Sequence, residues 1–173
     1  LGSPVLSVNR LDRFRADLGG ASVYDGSGRH LADVVPGTPS LHHTIFIDDP
    51  AGRPLLRVDR HPNPFGTSLT VFAPDGRTLG EARQKRLDRE TYRLVGAGGP
   101  IATMRPPGSG RPRRIVDPSN RVELARVFRN PGQGVLASNP ARSWVVRFER
   151  HEPPEVQAVI VASLLAVETG FRR

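Results

Sequence analysis

The stretch MRPPGSGRPRR (104–114) sets Arg105, Arg111, Arg113 and Arg114 in a Pro/Gly-rich loop with no acid among them. Guanidinium groups gathered this way suit phosphate and carboxylate oxygens, which they grip as planar forks. On an anionic lipid surface each one contributes roughly 1 kcal/mol. A second basic stretch, EARQKRLDRETYR (81–93), carries Arg83, Lys85, Arg86, Arg89 and Arg93, diluted by Glu81, Asp88 and Glu90. The whole chain holds 25 basic and 17 acidic residues, a net charge of +8, and Lys85 is its only lysine. Such a balance favours anionic partners. Two plainer readings stand beside it: a solvated loop, and an arginine bias inherited from GC-rich codons. Nucleic acid is disfavoured, because aromatic residues are only 6% of the chain and none interleaves with the arginines to stack on bases.

Other chemistry finds less support. The chain has no Cys, so disulfides and thiolate metal sites are excluded. A metal reading would join His42, His43, Asp48 and Asp49. Adjacent histidines on a strand point to opposite faces, and DDPAG reads more simply as a turn. No nucleophile elbow is present, and GAGGP lacks the spacing of a phosphate or dinucleotide loop. The sequence therefore nominates no catalytic residue, no metal ligand and no cofactor, and the expectation is a non-enzymatic protein.

The elements that must position the arginines are legible as patterns. The chain closes on EPPEVQAVIVASLLAVETGFRR (152–173), where Val156 to Val167 holds only two polar side chains, Gln157 and Ser163. The apolar run is about 12 residues, short of the roughly 20 a spanning helix needs, so no transmembrane segment is expected. No continuous polar face emerges on a helical wheel, which argues against a helix lying on a membrane surface. A helix apolar all round is a buried helix. Pro153 and Pro154 suit its start, Glu155 its positive end, and Gly170 with Arg172 and Arg173 its close.

The remainder repeats a unit: VYDGSGRHLADV (23–34), FIDDPAGRPLLRV (46–58) and VFAPDGRTLGEAR (71–83). Their turn glycines Gly28, Gly52 and Gly76 recur every 24 residues. Looser copies turn at Gly99 and at Ser119–Asn120. Each reads as a β-hairpin. SWVVRFER (143–150) alternates as a strand, and Leu6 with Val8 suggests an opening one. About a dozen strands must curl or close. The expected fold is all-β with one central helix: a closed barrel of about 12 strands around a buried hydrophobic C-terminal α-helix, in one domain over 1–173.

This order of units, with Asp75-Gly76-Arg77-Thr78-Leu79-Gly80, then SWVVRFER, then a terminal apolar helix, resembles the Tubby C-terminal-like fold. Within it the likeness is to the LURP-one-related and phospholipid scramblase-like proteins, over roughly residues 5–170. The resemblance implies a scramblase-like, non-enzymatic protein that meets anionic phospholipid headgroups peripherally; the residues nominated for that contact, Arg105, Arg111, Arg113 and Arg114, come from the acid-free loop and not from a family motif. The alternative is a soluble structural or protein-interaction scaffold with a protein partner. The expected place is the cytoplasm, with contact at the inner membrane face. Scramblases also carry an acidic calcium segment before the terminal helix. Here that position reads FERHEPPE, where Glu149, Glu152 and Glu155 are spread among Arg150, His151 and two prolines, a poor match to converging oxygen ligands.

Overall fold

A computed structural model describes residues 5–11, 20–25, 29–37, 43–64, 66–86, 88, 90–109, 111–129 and 143–168. Twelve strands precede one helix. In chain order they are β1 (Val5–Leu11), β2 (Gly20–Asp25), β3 (His30–Pro36), β4 (Thr44–Asp48), β5 (Pro54–Asn63), β6 (Gly66–Phe72), β7 (Thr78–Gln84), β8 (Tyr92–Gly96), β9 (Gly99–Met104), β10 (Arg113–Val116), β11 (Glu123–Arg129) and β12 (Ser143–Phe148). The helix α1 spans Pro154–Glu168. From β2 to β12 every strand pairs antiparallel with its neighbour in sequence.

The turns explain that order. At the second and third repeats Gly52 and Gly76 take φ of 78° and 85°, and in the last copy Asn120 takes 59°. That left-handed conformation suits Gly, and Asn after it. The aspartates close the turns from the side. Asp49 Oδ1 accepts the backbone N–H groups of Ala51 and Arg53, both at 2.9 Å. Asp117 Oδ1 accepts those of Arg121 and Val122 at 2.8 and 2.9 Å. These are Asx-type closures, which is why Asp opens the repeat. Gly28 of the first repeat lies outside the described residues.

The expected closed barrel of about 12 strands requires correction. The consecutive hairpins, β2 to β12, give an eleven-strand sheet that does not close by itself, because its two end strands do not pair with each other; the ring is completed only by β1. β1 lies between them. It pairs antiparallel with β2 from Leu6↔Asp25 to Leu11↔Gly20, and with β12 from Val5↔Arg147 to Asn9↔Ser143. The hydrogen-bonded order round the molecule therefore runs through this one strand. The physical reason is locality. A hairpin turn specifies adjacent strands, whereas pairing of the first strand with the last carries no turn signal and closes nearly the whole chain into one loop.

The curled sheet wraps a common core. Val58, Val71, Ala82, Leu94, Met104, Ile115, Val146 and Phe148 contribute fully buried side chains from the sheet. From α1 come Val159, Ile160, Ala162, Leu164 and Leu165. The expectation of a buried terminal helix holds: α1 shares one core cluster with side chains from β2 to β12. It packs chiefly on one wall, β5 to β8. Its first turn is held by Gln157, whose backbone N–H donates to Pro153 O at 3.0 Å and whose side-chain Nε2 donates to Glu152 O at 2.7 Å. In β12 Val146 and Phe148 are buried and Arg147 is exposed, as alternation predicts, but Val145 on the opposite face is buried as well. The Trp144 side chain, Gly170, Arg172 and Arg173 lie outside the described residues.

Candidate functional site

Hairpin geometry sorts the charges to two ends of the sheet. The repeat turns lie at one end, beside the start of α1, where Arg77 Nη1 meets Glu155 Oε1 at 3.1 Å. Three cations there are matched by acids. Arg29 pairs with Asp25 at 3.1 Å and Arg53 with Asp49 at 2.6 Å. At the opposite end the connections β7–β8 and β9–β10 emerge side by side. They bring the two basic stretches together in a recess of about 380 Å³. Lys85, Asp88 and Thr91 line it from one connection; Arg105, Arg111 and Arg114 line it from the other. This convergence of two segments some twenty residues apart was not readable from either alone.

The four nominated arginines do not share one environment. Arg105 and Arg111 are exposed. The backbone N–H of Arg105 donates to Arg114 O at 2.8 Å, and that of Arg111 to Gly108 O at 3.1 Å, so their loop is tied at both ends. Arg114 is 56% exposed in its side chain, and its Nε donates to Glu123 Oε2 at 2.5 Å. Arg113 is different: it is only 7% exposed. Its Nη1 donates to the carbonyl oxygens of Glu90 and Arg105, at 3.2 and 3.4 Å. Arg113 thus stitches the two connections together from within and does not present its head to a surface. The reason is strand alternation: Arg113 and Ile115 face inward and Arg114 outward. Nearby Tyr92 is half-buried, and burial pushes its phenol up, partly offset by the charges of Arg60 and Arg113.

Asp88 is the acid within the recess. Its carboxylate accepts a short hydrogen bond from the Thr91 hydroxyl, and this bond first holds it below the usual carboxylate range, with the Lys85 charge contributing. The acid is spent on shaping its own turn.

Beside the recess, β10, β11 and β12 carry a row of paired charges. Arg114 lies opposite Arg126, and Arg126 opposite Arg147. Glu123 bridges Arg114 and Arg126, and Glu149 bridges Arg126 and Arg147. Burial opposes ionisation of Glu123, but the hydrogen bonds and charges of Arg126 and Arg114 outweigh it and hold the carboxyl below its ordinary value. In the unfolded chain a glutamate titrates near ~4.3. The folded value is lower, so this contribution to stability is fully present above the unfolded value and is lost as pH falls through the folded one. Thermal melts from pH 6 down to pH 3 should therefore decline less steeply in Glu123→Gln than in the parent. Parallel slopes would show that Glu123 contributes nothing to the acid limb.

The remaining candidates separate. His42 lies outside the described residues, and His43 is exposed at the start of β4. Asp49 is committed to its turn with Arg53, whereas burial, then Asp49 and Asp33, raises the carboxyl of Asp48. Among the described residues no group of His, Asp and Glu gathers as metal ligands would. One cluster escaped the sequence reading. Asp33 Oδ1 accepts the Ser22 hydroxyl at 2.6 Å and contacts His30 Nε2 at 2.9 Å. Cross-strand register places Ser22 beside Asp33, which no local motif announces. The serine donates to the carboxylate instead of to the imidazole, so this is not an activated nucleophile.

No protein-family model matches the chain, and no curated protein matches it. A solved X-ray structure of a protein from Arabidopsis thaliana is similar over 99% of this chain and 93% of its own, with a TM-score of 0.63 and 14% identity. That likeness is one of fold: the same arrangement of strands and helix is held by a largely different sequence. Among the described residues no helix is long and apolar enough to cross a membrane.

Proposed function

We propose that this protein is a LURP-one-related, phospholipid scramblase-like protein without enzymatic activity, which associates peripherally with anionic phospholipid headgroups at the inner face of a membrane. The observation that carries the reading is the uneven charge. Arg29, Arg53 and Arg77 at the helix-start end are each paired with an acid, while Lys85, Arg105 and Arg111 converge at the opposite end around one internally committed aspartate. Exposed cations within a Debye length of an anionic bilayer each add roughly 1 kcal/mol, so three to four give useful, salt-sensitive affinity. Arg114 adds charge at the rim, and Arg113 serves by fixing the loop that presents Arg105 and Arg111.

Co-sedimentation with vesicles containing phosphatidylserine tests this. The triple variant Lys85→Ser, Arg105→Ser, Arg111→Ser should lose about two orders of magnitude in partition coefficient. Arg29→Ser with Arg53→Ser, at the other end, should lose little. Equal losses from both variants would locate no binding face and overturn the reading.

A protein partner is favoured by a different surface. On the outside of β3 to β6, Val35, Phe46, Arg57 and Phe72 are consecutive cross-strand neighbours, with Val35 45% exposed. The Arg57 guanidinium lies over the Phe72 ring, 4.3 Å from its centroid. This apolar row would carry the scaffold function if the cationic end proved inert.

A further inference from the structure

The sheet has a local split beside the recess. β9 pairs with β8 along its length but meets β10 only at Ile115↔Met104 and Val116↔Thr103. From Gly99 to Ala102 it has no strand pairing with β10, and Pro118 and Asn120 of the following turn line that gap. A groove of about 770 Å³ occupies that split. Val95, Pro100 and Pro118 give it an apolar lining, and Lys85, Arg86 and Arg93 line its cationic side. No carboxylate lines it, and no ion pair to Arg93 occurs among the described residues. Arg83 also lines the groove, with its head paired to Glu81 at 2.6 Å. Lys85 and Thr103 are shared between groove and recess.

An unpaired strand edge could in principle take an added peptide strand. Pro100 argues against that here, because proline offers no N–H to an added strand and is a common guard of edges. A cationic wall over an apolar slot instead matches a molecule with one anionic end and one hydrocarbon end. We infer that the groove binds a single anionic amphiphile, its charged group at Lys85 and Arg93 and its apolar portion along Val95, Pro100 and Pro118. This rests on, and deepens, the reading of the cationic end as a lipid-facing surface: it adds a site for one monomer to a face that meets a bilayer.

The test is calorimetric titration with decyl phosphate kept below its micelle concentration, beside inorganic phosphate, butyl phosphate and a glutamate-rich peptide. Decyl phosphate should bind at least about tenfold more tightly than inorganic phosphate, since burying even two or three methylenes supplies that factor. Val95→Asp should abolish the difference. Arg93→Ser, an exposed change that leaves the apolar lining intact, should weaken decyl phosphate several-fold. Equal affinity for decyl and inorganic phosphate would overturn the inference, as would binding of the peptide alone. The vesicle assay on the same preparations separates the two ideas. Vesicle binding without decyl phosphate binding sinks the groove and leaves the surface reading intact. Decyl phosphate binding without vesicle binding supports the groove and sinks the surface reading.

Discussion

Leu164→Asp should not fold. Leu164 is fully buried on α1, in one cluster with side chains from the curled sheet. Truncating a buried leucine alone costs about 2–5 kcal/mol. An aspartate there must also be buried either charged and unpaired or neutral and unsatisfied, which adds several kcal/mol more. A domain of this size has roughly 5–15 kcal/mol in total. The neighbouring Ser163 already buries a hydroxyl with no hydrogen-bond partner among the described residues, so this part of the core carries one unsatisfied polar group before the substitution. Circular dichroism should show loss of the cooperative melt, and the protein should accumulate as aggregate. A soluble variant melting within a few degrees of the parent would mean that α1 does not lie inside the sheet.

Gly80→Ala should cost about 1–3 kcal/mol from a single methyl group. Gly80 on β7 lies opposite Gly96 on β8, under α1. An added Cβ would sit 2.5 Å from the carbonyl oxygen of Val95 and 3.0 Å from Val159 Cγ2. The first of these is backbone and cannot rotate away, so either the strand pair or the helix must shift. For a chain of this length the melting temperature should fall by roughly 3–10 °C. Gly98→Ala is the matched control, because a Cβ there meets nothing within 4 Å. Equal melting temperatures for the two variants would mean that the helix is not pressed onto β7 as described. The pair also isolates the close approach of Val159 on α1 to Gly80.

The sequence exposed some of this and hid the rest for physical reasons. Gly52, Gly76, Gly99 and the Ser119–Asn120 turn are local signals, and the hairpins they imply are present with the expected left-handed residues at Gly52, Gly76 and Asn120. The helix was legible because Val156 to Val167 is apolar on every side. The lateral ends of the sheet were not legible. Nothing in VLSVNRL or SWVVRFER says that β1 lies against β12 or that β2 and β12 stay apart. The candidate site was half legible. Its charge was plain in residues 104–114, but strand alternation turns Arg113 inward, and only the folded register brings Lys85 to Arg105 and Arg111. The groove beside them depends on where β9 and β10 stop pairing, a non-local property that no motif encodes.

The central claim, that the cationic end of the sheet meets anionic lipid, is tested most directly by the salt dependence of vesicle binding by the unaltered protein. Partition onto phosphatidylserine-containing vesicles should be measured against pure phosphatidylcholine from 20 to 500 mM salt. The account predicts binding to the anionic vesicles alone, falling steeply as the Debye length shrinks from about 20 Å toward about 4 Å. Absence of binding to anionic vesicles at low salt, or equal binding to both compositions, would contradict it.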